Sequence, residues 1–285
     1  MTILQSLQFI QKILQPVSGA FALPEAERIL EFLCICSRPE LYLSIKKELS
    51  PAIIRKIETI VNRRLTDEPL AYILGSAYFY NREFIVTPDV LIPRPDTEIL
   101  VEEILKDEPR SACRFLDIGT GSGCIAAILT EKNSYWKAVA TDFSFPALKI
   151  ARRNCPKDIP FLCCDRLSAI KNKKEQRFDF IVSNPPYIRS SALPALEKSV
   201  RGFEPLHALD GGPDGLDFFR YLAKAAPPLL AECGRIYCEI GYDQAEGVPA
   251  LFESCGWTCI RIVRDNAGHP RVIRAEKGKY CNDKP

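Results

Sequence analysis

The segment Phe115-Leu116-Asp117-Ile118-Gly119-Thr120-Gly121-Ser122-Gly123 constrains the fold more than any other. An apolar, strand-like run ends in three alternating glycines, and a helix-like run follows at 123–132. Glycine admits positive φ and lets a ligand approach the backbone. The helix behind the loop offers unpaired N–H groups and the positive end of its dipole. Such a loop belongs at the C-terminal edge of an open α/β sheet, where ligands bind. The rest of the chain agrees. Strand-like runs at 113–118, 137–141, 159–163, 178–183, 234–240, 258–263 and 271–275 alternate with helical runs near 123–132, 144–154, 215–231 and 243–255. This alternation predicts a doubly wound α/β sheet of seven strands, mostly parallel. The last two runs lie too close for a crossover helix, so an antiparallel hairpin is expected there.

Upstream the pattern differs. Residues 1–75 hold only Gly19 and Gly75 of the 15 glycines. Ile3, Leu7, Ile10 and Leu14 recur at helical spacing. Pro24 is expected to open a second helix with Ala26, Ile29, Leu30 and Leu33 on one face. Ser50-Pro51 is an N-cap and first-turn pair for a third, whose apolar face is Ile53, Ile57, Ile60/Val61 and Leu65. A small α-helical bundle over 1–75 follows. Lys46, Lys47, Arg55, Lys56, Arg63 and Arg64 lie on this last helix or its approach. They are either a solvated face or an electrostatic handle for a macromolecular partner. At 76–95, Tyr78-Phe79-Tyr80 and Phe84-Ile85-Val86 read as a hairpin around Asn81-Arg82, followed by the stiff Leu91-Ile92-Pro93-Arg94-Pro95. Asp96 or Thr97 is expected to cap the next helix. The α/β domain then covers 96–279, with a tail at 280–285.

Composition limits the function. Lys+Arg total 38 against 36 for Asp+Glu, a net charge of +2, so no bulk charge for stable nucleic-acid binding is present. No apolar run is long enough for a membrane span. The 12 cysteines include no Cys-x-x-Cys pair, and the N-terminal apolar residues are broken by Gln5, Gln8, Gln11 and Lys12. Reduced thiols in a cytoplasmic protein are expected, with no metal site. His207 and His269 are isolated and are assigned no role.

The chemistry lies at the strand ends. The loop spacing is Gly-x-Gly-x-Gly, not the Gly-x-Gly-x-x-Gly of dinucleotide sites, and Asp117 stands just before it. An acid there suits a cationic or amino-acid-bearing ligand. Asp142, after the second strand, is placed to accept from ribose hydroxyls, and Asp165, after the third, from an adenine amino group. A tight turn with surface acids is the plainer alternative.

Asn184-Pro185-Pro186-Tyr187 follows the strand 178–183. The prolines stiffen the turn and leave carbonyls available. Asn184 offers an acceptor and a donor, Tyr187 a ring face and a hydroxyl. Together they suit a planar –NH2 group. Glu239, at the end of another strand, reads as a surface acid.

These loop residues resemble the class I S-adenosylmethionine-dependent methyltransferases. The resemblance implies a Rossmann-like sheet and S-adenosylmethionine as cofactor, with S-adenosylhomocysteine as product. It implies Asp117 near the methionine amino group and Gly119, Thr120, Gly121, Ser122 and Gly123 beneath its main-chain part. It also implies Asp142 on the ribose and Asp165 near the adenine, with Asn184 completing the cofactor site. Three further segments are similar to the HemK/PrmC release-factor glutamine methyltransferases: Phe84-Ile85-Val86-Thr87-Pro88 through Pro93-Arg94-Pro95-Asp96-Thr97-Glu98, Glu204-Pro205 through Asp214-Gly215-Leu216, and Glu239-Ile240-Gly241-Tyr242-Asp243-Gln244.

That resemblance implies methylation of the glutamine N5 in the Gly-Gly-Gln motif of class I release factors. Asn184, Pro185 and Tyr187 would be catalytic, and Asn184-Pro185-Pro186-Tyr187 would bind substrate. The bundle would bind the release factor, and the enzyme would act as a monomer. Arg166 stands where relatives place a bulky apolar residue beside adenine. The alternative is a DNA or RNA adenine-N6 methyltransferase, which the near-neutral charge disfavours. A binding module with a degraded site would have lost one of the two motifs, and both are intact.

Overall fold

The computed structural model describes residues 1–108, 111–172 and 176–278. The chain divides into two compact units, Met1–Ser76 with Glu197–Phe203, and Ala77–Leu196 with Glu204–Pro285. The residues at 280–285, read as a tail, lie outside the described residues.

The first unit holds α1 (Ile3–Ser18), α2 (Ala22–Cys34), α3 (Arg38–Leu43), α4 (Pro51–Arg64) and α5 (Leu70–Leu74). Ile3, Leu7, Ile10 and Leu14 of α1 are buried against Ala26, Ile29 and Leu30 of α2 and Ile57, Ile60 and Val61 of α4. Ser50 caps α4 as its hydroxyl accepts from the Ile53 N–H. Two expectations are corrected. Leu65 lies past the end of α4 and is exposed, and the inward position falls to Arg64, which is buried and paired with Glu25 at 3.0 Å. The α2 helix begins at Ala22, so Pro24 sits within its first turn.

After α5 come the hairpin β1 (Ser76–Phe79) and β2 (Arg82–Ile85), then α6 (Asp96–Asp107), β3 (Arg114–Ile118), α7 (Cys124–Lys132) and β4 (Lys137–Asp142). Next are α8 (Phe145–Asn154), β5 (Phe161–Cys163), β6 (Phe178–Ser183) and α9 (Lys198–Arg201), the last within the first unit. α10 (Asp217–Ala225), β7 (Leu230–Glu239), α11 (Gly247–Ser254), β8 (Thr258–Arg264) and β9 (Pro270–Glu276) complete the chain. The hairpin turn is Tyr80-Asn81, both at positive φ, one residue earlier than expected. The helix before β7 ends at Ala225, since Pro227 and Pro228 cannot continue it, so β7 begins earlier than the expected residue 234.

The seven strands run in the order β5-β4-β3-β6-β7-β9-β8. Neighbours from β5 to β7 are parallel, and β9 pairs antiparallel with both β7 and β8. The expected terminal hairpin is therefore present, with its second strand inserted. Phe115 on β3 and Phe180 on β6 stack at 4.9 Å between ring centroids, and Trp136 and Tyr237 meet Phe180 edge-on. This aromatic packing fixes the central strands whose C-terminal ends carry the motifs. No helix among the described residues is long and apolar enough to cross a membrane. Their cysteines are free thiols.

Candidate active site

A cavity of about 370 Å³ opens at the C-terminal edge of the sheet, within the size range of small-molecule sites. It gathers residues far apart in sequence. Gly119, Thr120, Gly121 and Ser122 line it, with Asp142, Asp165, Arg166, Asn184 and Pro186. So do Val90 and Arg94 from the connection before α6, Thr97 from the start of α6, and His207 and Phe218 from the chain after β6.

The loop turns as its glycines require. Gly121 has φ +54° and Gly123 φ +81°. A Cβ on Gly123 would stand 2.6 Å from Cys155 Sγ, so both conformation and space demand glycine there. Asp117 is fully buried, and its Oδ2 accepts from Thr120 Oγ1 at 2.7 Å. Its Oδ1 is buried with no hydrogen-bond partner. Burial, opposed by the Thr120 hydroxyl and the Ala126 N–H and aided by nearby Asp142, pushes this carboxyl up to about 7. Asp117 stands behind the loop and is not among the residues that line the cavity. Asp142 accepts the N–H groups of Gly121 and Ser144, each at 2.8 Å, which fixes its carboxylate. Burial raises it, against those two bonds.

Asp165 is exposed at the rim. Arg166 adopts φ +52° and lays its guanidinium over Tyr221 at 4.8 Å and Phe218 at 5.6 Å. A cation held on two rings thus stands on this wall. His207, expected to have no role, lies on the cavity wall against the Phe143 ring.

At the tetrapeptide, Asn184 and Pro186 face the cavity. Pro185 is buried, and Tyr187 donates its hydroxyl to Glu239 Oε1 at 3.0 Å. Glu239 is not a surface acid: only 2% of it is exposed. Its Oε2 accepts from Thr97 Oγ1 at 2.6 Å, and Thr97 accepts from Asn184 Nδ2 at 3.0 Å. Neither Asp96 nor Thr97 caps α6; Pro95 holds that position without a side-chain bond, and Thr97 is turned into the site.

The other quoted segments brace this corner. Gln244 is buried and donates to the carbonyls of Tyr187 and Gly215, each at 3.1 Å, while accepting from the Gly241 N–H. A Cβ on Gly215 would lie 2.5 Å from the Tyr187 carbonyl oxygen, so only glycine permits that approach. Buried Glu204 accepts from the Ile92 N–H and pairs with Arg94, pinning the proline-rich connection over the cavity wall. Gln244 and Glu204 carried no assigned role in the sequence, and Thr97 only that of a possible helix cap. The one signal for them was their place in segments dense in Pro, Gly and acid.

Asn154 ties the hairpin to the glycine loop. Its Oδ1 accepts from the Ile85 N–H, and its Nδ2 donates to the carbonyls of Ile85 and Ser122, all at 2.9 Å. Asn154→Ala leaves these buried groups unpaired and is expected to cost about 1–3 kcal/mol. A urea midpoint equal to the wild type would refute this bracing role.

The family model "Methyltransferase small domain" matches residues 95–198, and "PrmC N-terminal domain" matches 5–75. The chain is 41% identical over 254 residues to the release factor glutamine methyltransferase of Geobacter sulfurreducens, covering 89% of each chain. It is 37% identical over 281 residues to that of Koribacter versatilis, covering 97% of this chain and 99% of the relative. Among solved structures, a methyltransferase from Pyrococcus furiosus shares the fold, with TM-score 0.52 and 21% identity over 76% of this chain and 97% of its own. The loop, the tetrapeptide and the bracing segments thus occur in one chain with relatives along almost its whole length: it belongs to the release factor glutamine methyltransferase family.

Proposed function

We propose that this protein transfers a methyl group from S-adenosylmethionine to the side-chain amide nitrogen, N5, of the glutamine in the Gly-Gly-Gln motif of class I release factors. The observation that carries the reading is the shared cavity. Asn184 and Pro186 stand on one wall and the glycine loop with Asp142 on another. S-adenosylmethionine supplies an electrophilic methyl carbon on a sulfonium centre.

The residues fit such a ligand. The unpartnered Oδ1 of Asp117 suits its amino group. The loop from Gly119 to Gly123 would lie under its main-chain part, and Asp142 would take the ribose hydroxyls. Asp165 would meet the adenine amino group, with Arg166 and Phe218 as the adenine wall.

An amide nitrogen is a poor nucleophile because its lone pair is delocalised into the carbonyl. In this reading Asn184 Oδ1 and the Pro185 carbonyl accept its two N–H bonds and favour a pyramidal nitrogen with its lone pair free. Positioning and fixed dipoles then supply most of the barrier reduction. Tyr187 is not the base. Burial and the neighbouring Glu239 carboxylate push its phenol above its ordinary range. Its part is to close the corner and present its ring to the amide.

The helical bundle at 1–75 is assigned to holding the release factor, with 76–95 as the connection and 96–279 as the catalytic domain. Lys46, Lys47, Arg55 and Lys56 are exposed and support an electrostatic role. Arg64, buried on Glu25, takes no part in it. A cytoplasmic monomer that forms no stable complex with nucleic acid completes the proposal. Incubation with labelled methyl donor is expected to label a release factor and not its Gly-Gly-Ala variant. Label in DNA or RNA, with none in protein, would overturn the reading.

A further inference from the structure

We infer that Glu239 and Thr97 are positioning residues that fix which end of the Asn184 amide faces the substrate. The inference rests on the reading that Asn184 receives the glutamine amide, and it deepens that reading.

The argument is a proton count. A threonine hydroxyl has one proton to donate. Thr97 Oγ1 gives that proton to Glu239 Oε2 at 2.6 Å. Its lone pair is left to accept, and what it accepts from Asn184 must be an N–H. The bond from Nδ2 to Oγ1 is 3.0 Å. The Asn184 amide is thereby polarised along one direction, with Oδ1 as the end left for the cavity.

Reversing the amide would set an –NH2 against the substrate –NH2, donor against donor. Without the Thr97 hydroxyl this fixed acceptor no longer distinguishes the two orientations of an amide that is nearly symmetric in shape. Glu239 also accepts the Tyr187 hydroxyl at 3.0 Å. Burial raises the Glu239 carboxyl, and the O–H bonds from Thr97 and Tyr187 oppose that by each donating to one of its oxygens, the pattern that favours the carboxylate. The two acceptors sit on one buried group, 2% exposed, at the end of β7. One carboxylate thus sets the direction of bonds on both polar side chains of the tetrapeptide.

Thr97→Val removes the hydroxyl at nearly constant shape, and Thr97→Ser keeps it. Outer-shell partners that orient a metal ligand contribute about 10- to 100-fold to activity, and the same scale is taken for a partner that orients Asn184. We expect that loss in kcat for Thr97→Val, with the cofactor Kd near wild type and a thermal midpoint lowered because buried Glu239 loses a hydrogen bond, and recovery of both kcat and midpoint in Thr97→Ser. In an Asn184→Ala background, adding Thr97→Val should change kcat by less than about 2-fold, because its effect passes through Asn184.

Full kcat in Thr97→Val would overturn the inference. So would a loss of the same size in the Asn184→Ala background, which would mark a purely structural role. If Asn184→Ala alone kept full kcat, both the inference and the catalytic reading of Asn184 would fall. A normal loss there with an inert Thr97→Val would sink the inference alone. Should Thr97→Val not fold, Thr97→Ala is measured against Thr97→Ser by the same criteria.

Discussion

Asn184→Ala is expected to lower kcat by about 100- to 1,000-fold while cofactor affinity falls far less. The residue lines the cavity, and its amide nitrogen is already committed to Thr97. Its oxygen is the group left to meet a substrate N–H. That contact matters most as the nitrogen pyramidalises, so its loss falls on the transition state and not on ground-state binding. Asn184 is only half-buried, so truncation costs little packing. Steady-state kinetics with a release factor, together with calorimetric titration of S-adenosylmethionine, separate the two quantities. Equal kcat in the variant would remove Asn184 from catalysis. An equal fall in kcat and cofactor affinity would instead make it a cofactor ligand.

Local periodicity revealed the architecture, because each strand and helix must bury its own apolar face. Ile3, Leu7, Ile10 and Leu14 show this in the bundle, and Phe115 to Ile118 in the sheet. The glycine loop and Asn184-Pro185-Pro186-Tyr187 were legible for a similar reason: short contiguous motifs with fixed backbone demands. Thr97 and Glu239 were not. They are 142 residues apart and meet only because α6 begins and β7 ends at one corner of the sheet. A lone threonine after Pro-Asp reads as a cap, and a glutamate at a strand end reads as solvated, until the tertiary contact shows otherwise. Arg64 follows the same logic. Its charge suggested surface, but Glu25 from α2 neutralises it where an apolar residue would otherwise stand.

Asp117→Asn is expected to have opposite effects on the free and the loaded protein. The carboxyl lies in full burial with Oδ1 unpartnered, and burial holds it up to about 7. In the unfolded chain an aspartate titrates near ~3.9. Because the folded value is the higher one, the folded protein binds the extra proton. Its contribution to stability is complete below the unfolded value and is lost as pH rises through about 7. At about pH 8 the free protein therefore holds an underpaired buried charge. Asparagine removes that charge and still accepts from Thr120, so the free variant should melt several degrees higher than wild type at that pH. The gap should shrink toward about pH 5. Asp142 is raised in the same direction and its charge acts on Asp117, so the difference reports the coupled pair.

Cofactor binding should move the other way. In the proposed reading the cofactor's ammonium pairs with the Asp117 carboxylate, and removing one member of such a buried charge pair costs about 3–5 kcal/mol, or at least 100-fold in Kd. Wild-type affinity should also weaken about tenfold per unit as pH falls below about 7, because the carboxylate must be ionised to bind, while the variant loses this slope. Thermal unfolding and calorimetric titration across that range test both halves. A variant that binds S-adenosylmethionine like wild type, or melts lower than wild type at about pH 8, would show that Asp117 is held by structure and not kept for a cation.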